Sequence, residues 1–181
     1  LALGESGAYL NENLLERTFE DLAARFDAEY GGFGEAPKFP MAHNLLFLLR
    51  YWKYSHDEKA LEMVEQTLQA MRRGGIYDHV GLGFHRYSTD RQWLVPHFEK
   101  MLYDEAMLLM AYTEAYQATG RREYERTARE IITYVLRDMH DLGVAFYSAE
   151  DADSEGVEGK FYLWHEGEIR QVLGDAADSV I

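Results

Sequence analysis

The sequence predicts an all-α protein built of α/α hairpins stacked as a toroid or a solenoid, with short β-hairpins in its long loops. Three observations carry this. Apolar residues recur at spacings of three and four through most of the chain. Helices with one apolar stripe alternate with helices apolar nearly all round, as expected of an outer, solvent-facing ring and an inner, buried one. The loops after the striped helices are long, and they repeat an Asp–Gly–Phe pattern. A four-helix bundle would show a stripe on every helix.

Each element follows from its residues. The first helix, about 11–27, is striped by Leu14, Leu15, Phe19, Leu22, Ala23 and Phe26. The second, about 41–54, is apolar on nearly every side through Met41, Leu45–Leu49, Tyr51 and Trp52. The third, about 57–73, is striped by Leu61, Val64, Leu68 and Met71, with Ser55 and Glu58 suited to a capping box. The fourth, about 97–119, is apolar from Ala106 to Tyr112; Pro96 suits its first turn and Gly120 its C-terminal stop. The fifth, about 122–139, is striped by Tyr124, Ala128, Ile131, Val135 and Met139, and a sixth begins near Glu166. Segments 144–147 and 161–164 read as short strands.

Three loops share one design. Asp27 precedes Phe33 by six residues, Asp78 precedes Phe84 by six, and Asp141 precedes Phe146 by five, with glycines between. Glycine permits the tight turn and the aromatic anchors it.

Composition narrows the function. A formal charge of −14 argues against the broad basic face that a nucleic-acid backbone needs, so neither nucleic acid nor an anionic membrane surface is expected as a partner. No apolar run approaches the roughly 18 residues of a membrane span. With no cysteine, the segment holds neither a disulfide nor a thiolate nucleophile. The chain starts at Leu1 and ends without closing an element, which reads as a piece cut at both ends. Its compartment is therefore a guess, the cytoplasm. Aromatic residues reach 14%, enough for a core or for platforms on which sugar rings stack.

The richest stretch runs from Gly74 to Asp104. His97, Lys100 and Asp104 would share one face at the start of the fourth helix, and Glu99 lies between them. Around them lie Asp78, His79, Phe84, His85, Arg86, Tyr87 and Trp93. Acids and histidines suit proton transfer, Arg86 and Lys100 suit an anionic group, and Phe84, Tyr87 or Trp93 would stack on a sugar. A hydrogen-bonded network holding a long loop down is the structural alternative. A second stretch holds Glu150, Asp151 and Asp153. It begins like a calcium loop, but Tyr162 stands where the twelfth-position acid should be. Glu150 or Asp151 as acid or base, or an acidic turn capping backbone N–H groups, are both open. Lys38, between two prolines, is expected to face water. No H-E-x-x-H, G-x-S-x-G or dinucleotide fingerprint occurs, and neither metal nor cofactor is expected.

The motifs YGGFGEAPKFP, GGIYDHVGLGFHRYSTDRQWLVPHFEKMLYDEAML and FYSAEDADSEGVEGKFYLWHEGEI together resemble the thioredoxin-domain-containing, spermatogenesis-associated protein family, whose bacterial members are called YyaL-like. The resemblance covers roughly residues 10–174. It implies a thioredoxin-like domain followed by an (α/α)6 toroid similar to six-hairpin glycosidases and N-acylglucosamine 2-epimerases, so that the α/α hairpins of residues 1–181 form part of that (α/α)6 toroid as its first half. The partners it implies are the remaining toroid hairpins, the thioredoxin-like domain and a sugar or glycan. It supplies no established reaction. A carbohydrate-active toroid, hydrolase- or epimerase-like, and a non-catalytic module presenting clients to the redox domain both remain open. Family loops carry glycines where this chain has Leu82 and Val144-Ala145. Cut edges should expose apolar surface and favour self-association.

Overall fold

A computed structural model describes residues 12–181. Anything expected of residues 1–11 lies outside the described part. Five long helices form the scaffold: α1 (Glu12–Arg25), α2 (Ala42–Ser55), α3 (Glu58–Arg73), α4 (Leu102–Thr119) and α5 (Arg122–Asp138). A shorter α6 (Glu166–Leu173) leads into a 3-10 turn at Gly174–Ser179. Three two-stranded antiparallel ribbons decorate the loops: β1 (Tyr87–Ser88) with β2 (Pro96–His97), β3 (Lys100–Met101) with β4 (Ala149–Glu150), and β5 (Asp153–Ser154) with β6 (Val157–Glu158). No described helix is long and apolar enough to cross a membrane.

The alternation of helix types becomes a layering. α2 and α4 pack side by side, α3 covers α2, and α5 covers α4. The near-continuous apolar circumference of α2 and α4 is what lets each be contacted on several sides. Leu45, Leu48, Leu108, Ala111 and Ala115 lose all exposure there. The striped helices bury one face only: Met63, Val64, Leu68 and Met71 on α3, and Tyr124, Ala128, Ile131 and Tyr134 on α5. The arrangement is that of α/α hairpins in an (α/α)6 toroid.

Open faces remain. A groove of about 530 Å³ runs between α1, α2 and α4, lined by Leu15, Phe47, Tyr54 and Met110. Ile132, Leu136 and Phe146 stay exposed on and beside α5.

Most element ends agree with the pattern, and four do not. The fourth helix starts at Leu102, not 97, because Pro96-His97 pair with Tyr87-Ser88, and Lys100-Met101 with Ala149-Glu150. His97 and Lys100 are therefore strand residues, and only Asp104 is helical. The α3 cap is Asp57, which accepts from the Lys59 N–H at 3.0 Å, and no Ser55–Glu58 box forms. Segment 161–164 is a turn rather than a strand. Of 144–147, only Phe146 pairs, in a bridge to His140.

The loop repeat is a structural unit. In each copy the residue before Asp pairs with the Phe: Phe26 with Phe33, Tyr77 with Phe84, His140 with Phe146. In each copy the Asp side chain accepts from N–H groups two or three residues on, which nucleates the turn. Leu82 takes the position a glycine would favour, with φ 68°, and its carbonyl accepts from Lys100.

Candidate active site

The loops bring the predicted residues together in two groups. The first lies on β1, β2 and the start of α4. Register places His97 opposite Tyr87, and their rings stack at 5.0 Å and 18°. The His97 imidazole, a quarter exposed, lies between two carboxylates. Its Nδ1 is 2.6 Å from Glu158 Oε1, and Nε2 is 3.8 Å from Glu99 Oε2. A carboxylate can only accept, so the Glu158 contact puts the ring proton on Nδ1. Arg86 donates to Glu99 at 2.8 Å and is bound back through its own N–H to the Glu99 carbonyl.

Asp104 completes this group. Burial pushes its carboxyl up to about 6; the Arg86 charge opposes the rise and the Glu99 charge adds to it. One Asp104 oxygen and the Arg86 Nε are buried without a partner. The group can therefore offer an imidazole, a carboxyl that exchanges its proton near neutrality and a guanidinium donor, linked through Glu99.

The second group is buried beneath the loops. Lys100 donates to Asp78 at 2.8 Å and to the Leu82 carbonyl at 2.8 Å, and sits over the Tyr134 ring at 4.4 Å. Burial pushes Asp78 up, but Lys100 and the N–H groups of Gly81 and Val80 outweigh it and hold the carboxyl below the usual range. Glu150, opposite Lys100 across the ribbon, accepts from Tyr134 at 2.6 Å and Tyr162 at 3.2 Å. Burial lowers His85 to about 4, helped by the Lys100 charge, so its imidazole is neutral. Asp78, His85, Lys100 and Glu150 thus tie the second loop to α5 and the third loop.

Other predicted residues lie elsewhere. Phe84 and Trp93 are wholly buried, and Trp93 donates to the Tyr30 carbonyl; neither presents a face for a sugar. Of the predicted platforms only Tyr87 stays partly open, with Phe39 tilted against it at 4.8 Å. His79 bonds the Gly74 carbonyl at 2.9 Å beside α3, apart from the His97 group. Asp151 and Asp153 are exposed, with the Asp153 N–H closing a turn onto Asp151. No cluster of three or more His, Cys, Asp or Glu suited to a metal occurs among the described residues. Lys38 does not face water: it is fully buried against Asp27.

Sequence reasoning missed Glu158, Glu105, Tyr134 and Tyr162. Glu158 reaches His97 across 61 positions and has no local signal. Glu105 was detectable only as an acid at the head of an apolar helix. Burial raises its carboxyl to about 8, although the Phe84 N–H donates to it at 2.6 Å.

The same fold of helical hairpins occurs among solved sugar epimerases and isomerases. Cellobiose 2-epimerase from Bacillus thermoamylovorans superposes with a TM-score of 0.67 at 17% identity, over 77% of this chain and 40% of that one. A D-mannose isomerase gives 0.56 at 20% identity, over 64% and 30%. In sequence, the chain is 50% identical over 167 residues to human spermatogenesis-associated protein 20, which is 87% of this chain and 21% of that protein. It is 41% identical over 178 residues to an uncharacterized Caenorhabditis elegans protein, 91% of this chain and 24% of that one. The chain spans about a fifth of the length of these relatives. No family model matches it.

Proposed function

We propose that residues 1–181 are the first half of the toroid of a spermatogenesis-associated family protein, and that this toroid acts on a carbohydrate by proton transfer at His97. The observation that carries the reading is His97, stacked on Tyr87 and flanked by Glu158 and Glu99, with Glu99 also bound by Arg86 and both Glu99 and Arg86 acting on an Asp104 carboxyl held near 6. Epimerisation or isomerisation takes a proton from the carbon beside a carbonyl and returns one. An imidazole base, with a carboxyl that can hold a proton in the same group of residues, meets that need. Arg86 and Tyr87 would orient the sugar, Glu158 would hold the ring proton on Nδ1, and Glu99 would stabilise the imidazolium that forms when Nε2 takes a proton. The neighbours named as sugar epimerases and isomerases support the substrate class. The hairpins that complete the ring, and the thioredoxin-like domain before it, are part of the same proposal. The groove between α1, α2 and α4 and the face carrying Ile132 and Leu136 are surfaces such hairpins would cover.

The test uses the full-length protein. Calorimetric titration with neutral, amino and uronic sugars should find a binder. That sugar should exchange a carbon-bound hydrogen with deuterated water, and His97→Gln should slow the exchange by about 100-fold or more. Silence with every sugar, or exchange indifferent to His97→Gln, overturns the reading.

A second reading, a module presenting clients to the redox domain, draws on the exposed Phe146, Tyr147, Phe161, Leu163 and Trp164 of the third loop region. It would be favoured if sugars stay silent while unfolded client peptides bind, and if Trp164→Ala weakens them.

A further inference from the structure

The wall between α3 and α5 holds a cavity of about 280 Å³ that shares no residue with the His97 group. Its floor is apolar and aromatic, made by Leu68, Tyr112 and Tyr124. Its rim is cationic: Arg72 and Arg73 from the last turn of α3, and Arg126 from α5. Gln69 pins the two helices together, donating to the Tyr124 hydroxyl at 3.1 Å and to Glu123 at 3.2 Å.

The three guanidiniums are not equally committed. Arg72 is the most committed: it lies over the Tyr77 ring at 3.8 Å, pairs with Glu130 at 2.9 Å and donates to His79 Nδ1 at 3.4 Å, which leaves only its buried Nε without a partner. Arg126 reaches Glu130 only at 3.9 Å and its side chain is 68% exposed. Arg73 makes a 3.4 Å bond to Gln69 and no ion pair among the described residues. The acid lining the cavity, Glu123, is engaged by Gln69 and Arg121, and Glu130, outside the lining, is held by Arg72 and Tyr77. In a chain with 32 acids and 18 bases, arginines are readily paired. Two guanidiniums lining one cavity, Arg73 with no ion pair among the described residues and Arg126 with a single long one, while the lining acid Glu123 is held elsewhere, are a pair of donors for an anion.

We infer that the α3–α5 cavity binds a small organic phosphate, with Arg73 and Arg126 on the phosphate and the body of the ligand against Tyr112 and Tyr124. Guanidinium forks suit phosphate oxygens, and two of them bind a dianion better than a carboxylate. A cavity of this size lies at the lower end of small-molecule sites, so the occupant is of sugar-phosphate rather than nucleotide size. The inference stands apart from the His97 reading.

Calorimetry on the full chain tests it with three probes at matched ionic strength: inorganic phosphate, a hexose phosphate and the parent hexose. The hexose phosphate should bind more tightly than inorganic phosphate. Arg73→Gln/Arg126→Gln should weaken both phosphates at least tenfold while leaving any binding of the parent hexose unchanged. His97→Gln should leave the phosphate affinities intact, so failure of the sugar-site reading stays distinguishable. Absence of phosphate binding, or affinities unmoved by the double substitution, overturns the inference. Equal binding of the two phosphates would overturn the part assigned to the aromatic floor.

Discussion

Lys38 Nζ lies 2.6 Å from Asp27 Oδ2, with the lysine side chain fully buried and the carboxylate side chain 3% exposed. The same contact recurs between Lys100 and Asp78 at 2.8 Å. Each pair closes one Asp-to-Phe loop from outside that loop, so a local turn is fastened by a distant cation. In the first pair Arg91 adds a two-pronged contact to the same carboxylate, at 2.8 Å on each oxygen.

Asp27→Asn should destabilise the fold by about 3–5 kcal/mol, because it leaves the buried Lys38 charge without its counter-ion. Lys38→Met should cost less, since Arg91 still neutralises Asp27. Urea unfolding of the two variants measures the difference. Equal losses would mean that the lysine is held by its packing over Trp93 rather than by the carboxylate.

Stability should fall between about pH 6.5 and 8. Glu105 keeps its proton up to about 8 in the fold but releases it near 4.3 when unfolded, so in that interval the native state binds the extra proton and loses stability as pH rises. Asp104, at about 6, adds a fall that ends near 6. His85 acts oppositely. Held to about 4, it adds stability as pH rises from about 4 to 6.5 and nothing beyond. Above 6.5 the Glu105 decline is therefore unopposed by His85, at up to about 1.4 kcal/mol per pH unit. Glu105→Gln, with unfolding followed at pH 6.5 and 8, should flatten the slope. An unchanged slope in the variant would assign the decline to another group.

Gly83→Ala should be among the costlier single-methyl changes. Gly83 has φ 80°, and an added Cβ would lie 2.6 Å from the Tyr134 ring. The left-handed backbone costs about 1–2 kcal/mol, and overpacking about 1–3 more. Gly120→Ala, also left-handed at φ 70° but with open space around it, should lose only the backbone part. Thermal midpoints of the two variants separate the contributions.

The helical scaffold was legible because its signal is local. Stripe against all-round apolarity told α3 and α5 from α2 and α4, and Gly120 stops α4 with φ 70° as its position implied. The Asp-to-Phe repeat was legible for the same reason, since Asp78 shapes its own turn through its nearest N–H groups. The start of α4 was misplaced because Pro96 satisfies a helix N-terminus and a ribbon edge equally well. Only the partners Tyr87 and Ser88 decide between them.

Residue chemistry behaved differently. A histidine-rich stretch marked where polar groups gather, but not which remain open to a ligand. Periodicity and turn chemistry depend on neighbours within a few positions, so the order of helices, their two kinds and the loop design follow from the chain's own text. Burial and charge pairing depend on groups tens of positions away. Packing alone therefore sealed Trp93 and Phe84 in the core, turned Lys38 and Lys100 into loop fasteners, and set Glu158 against His97.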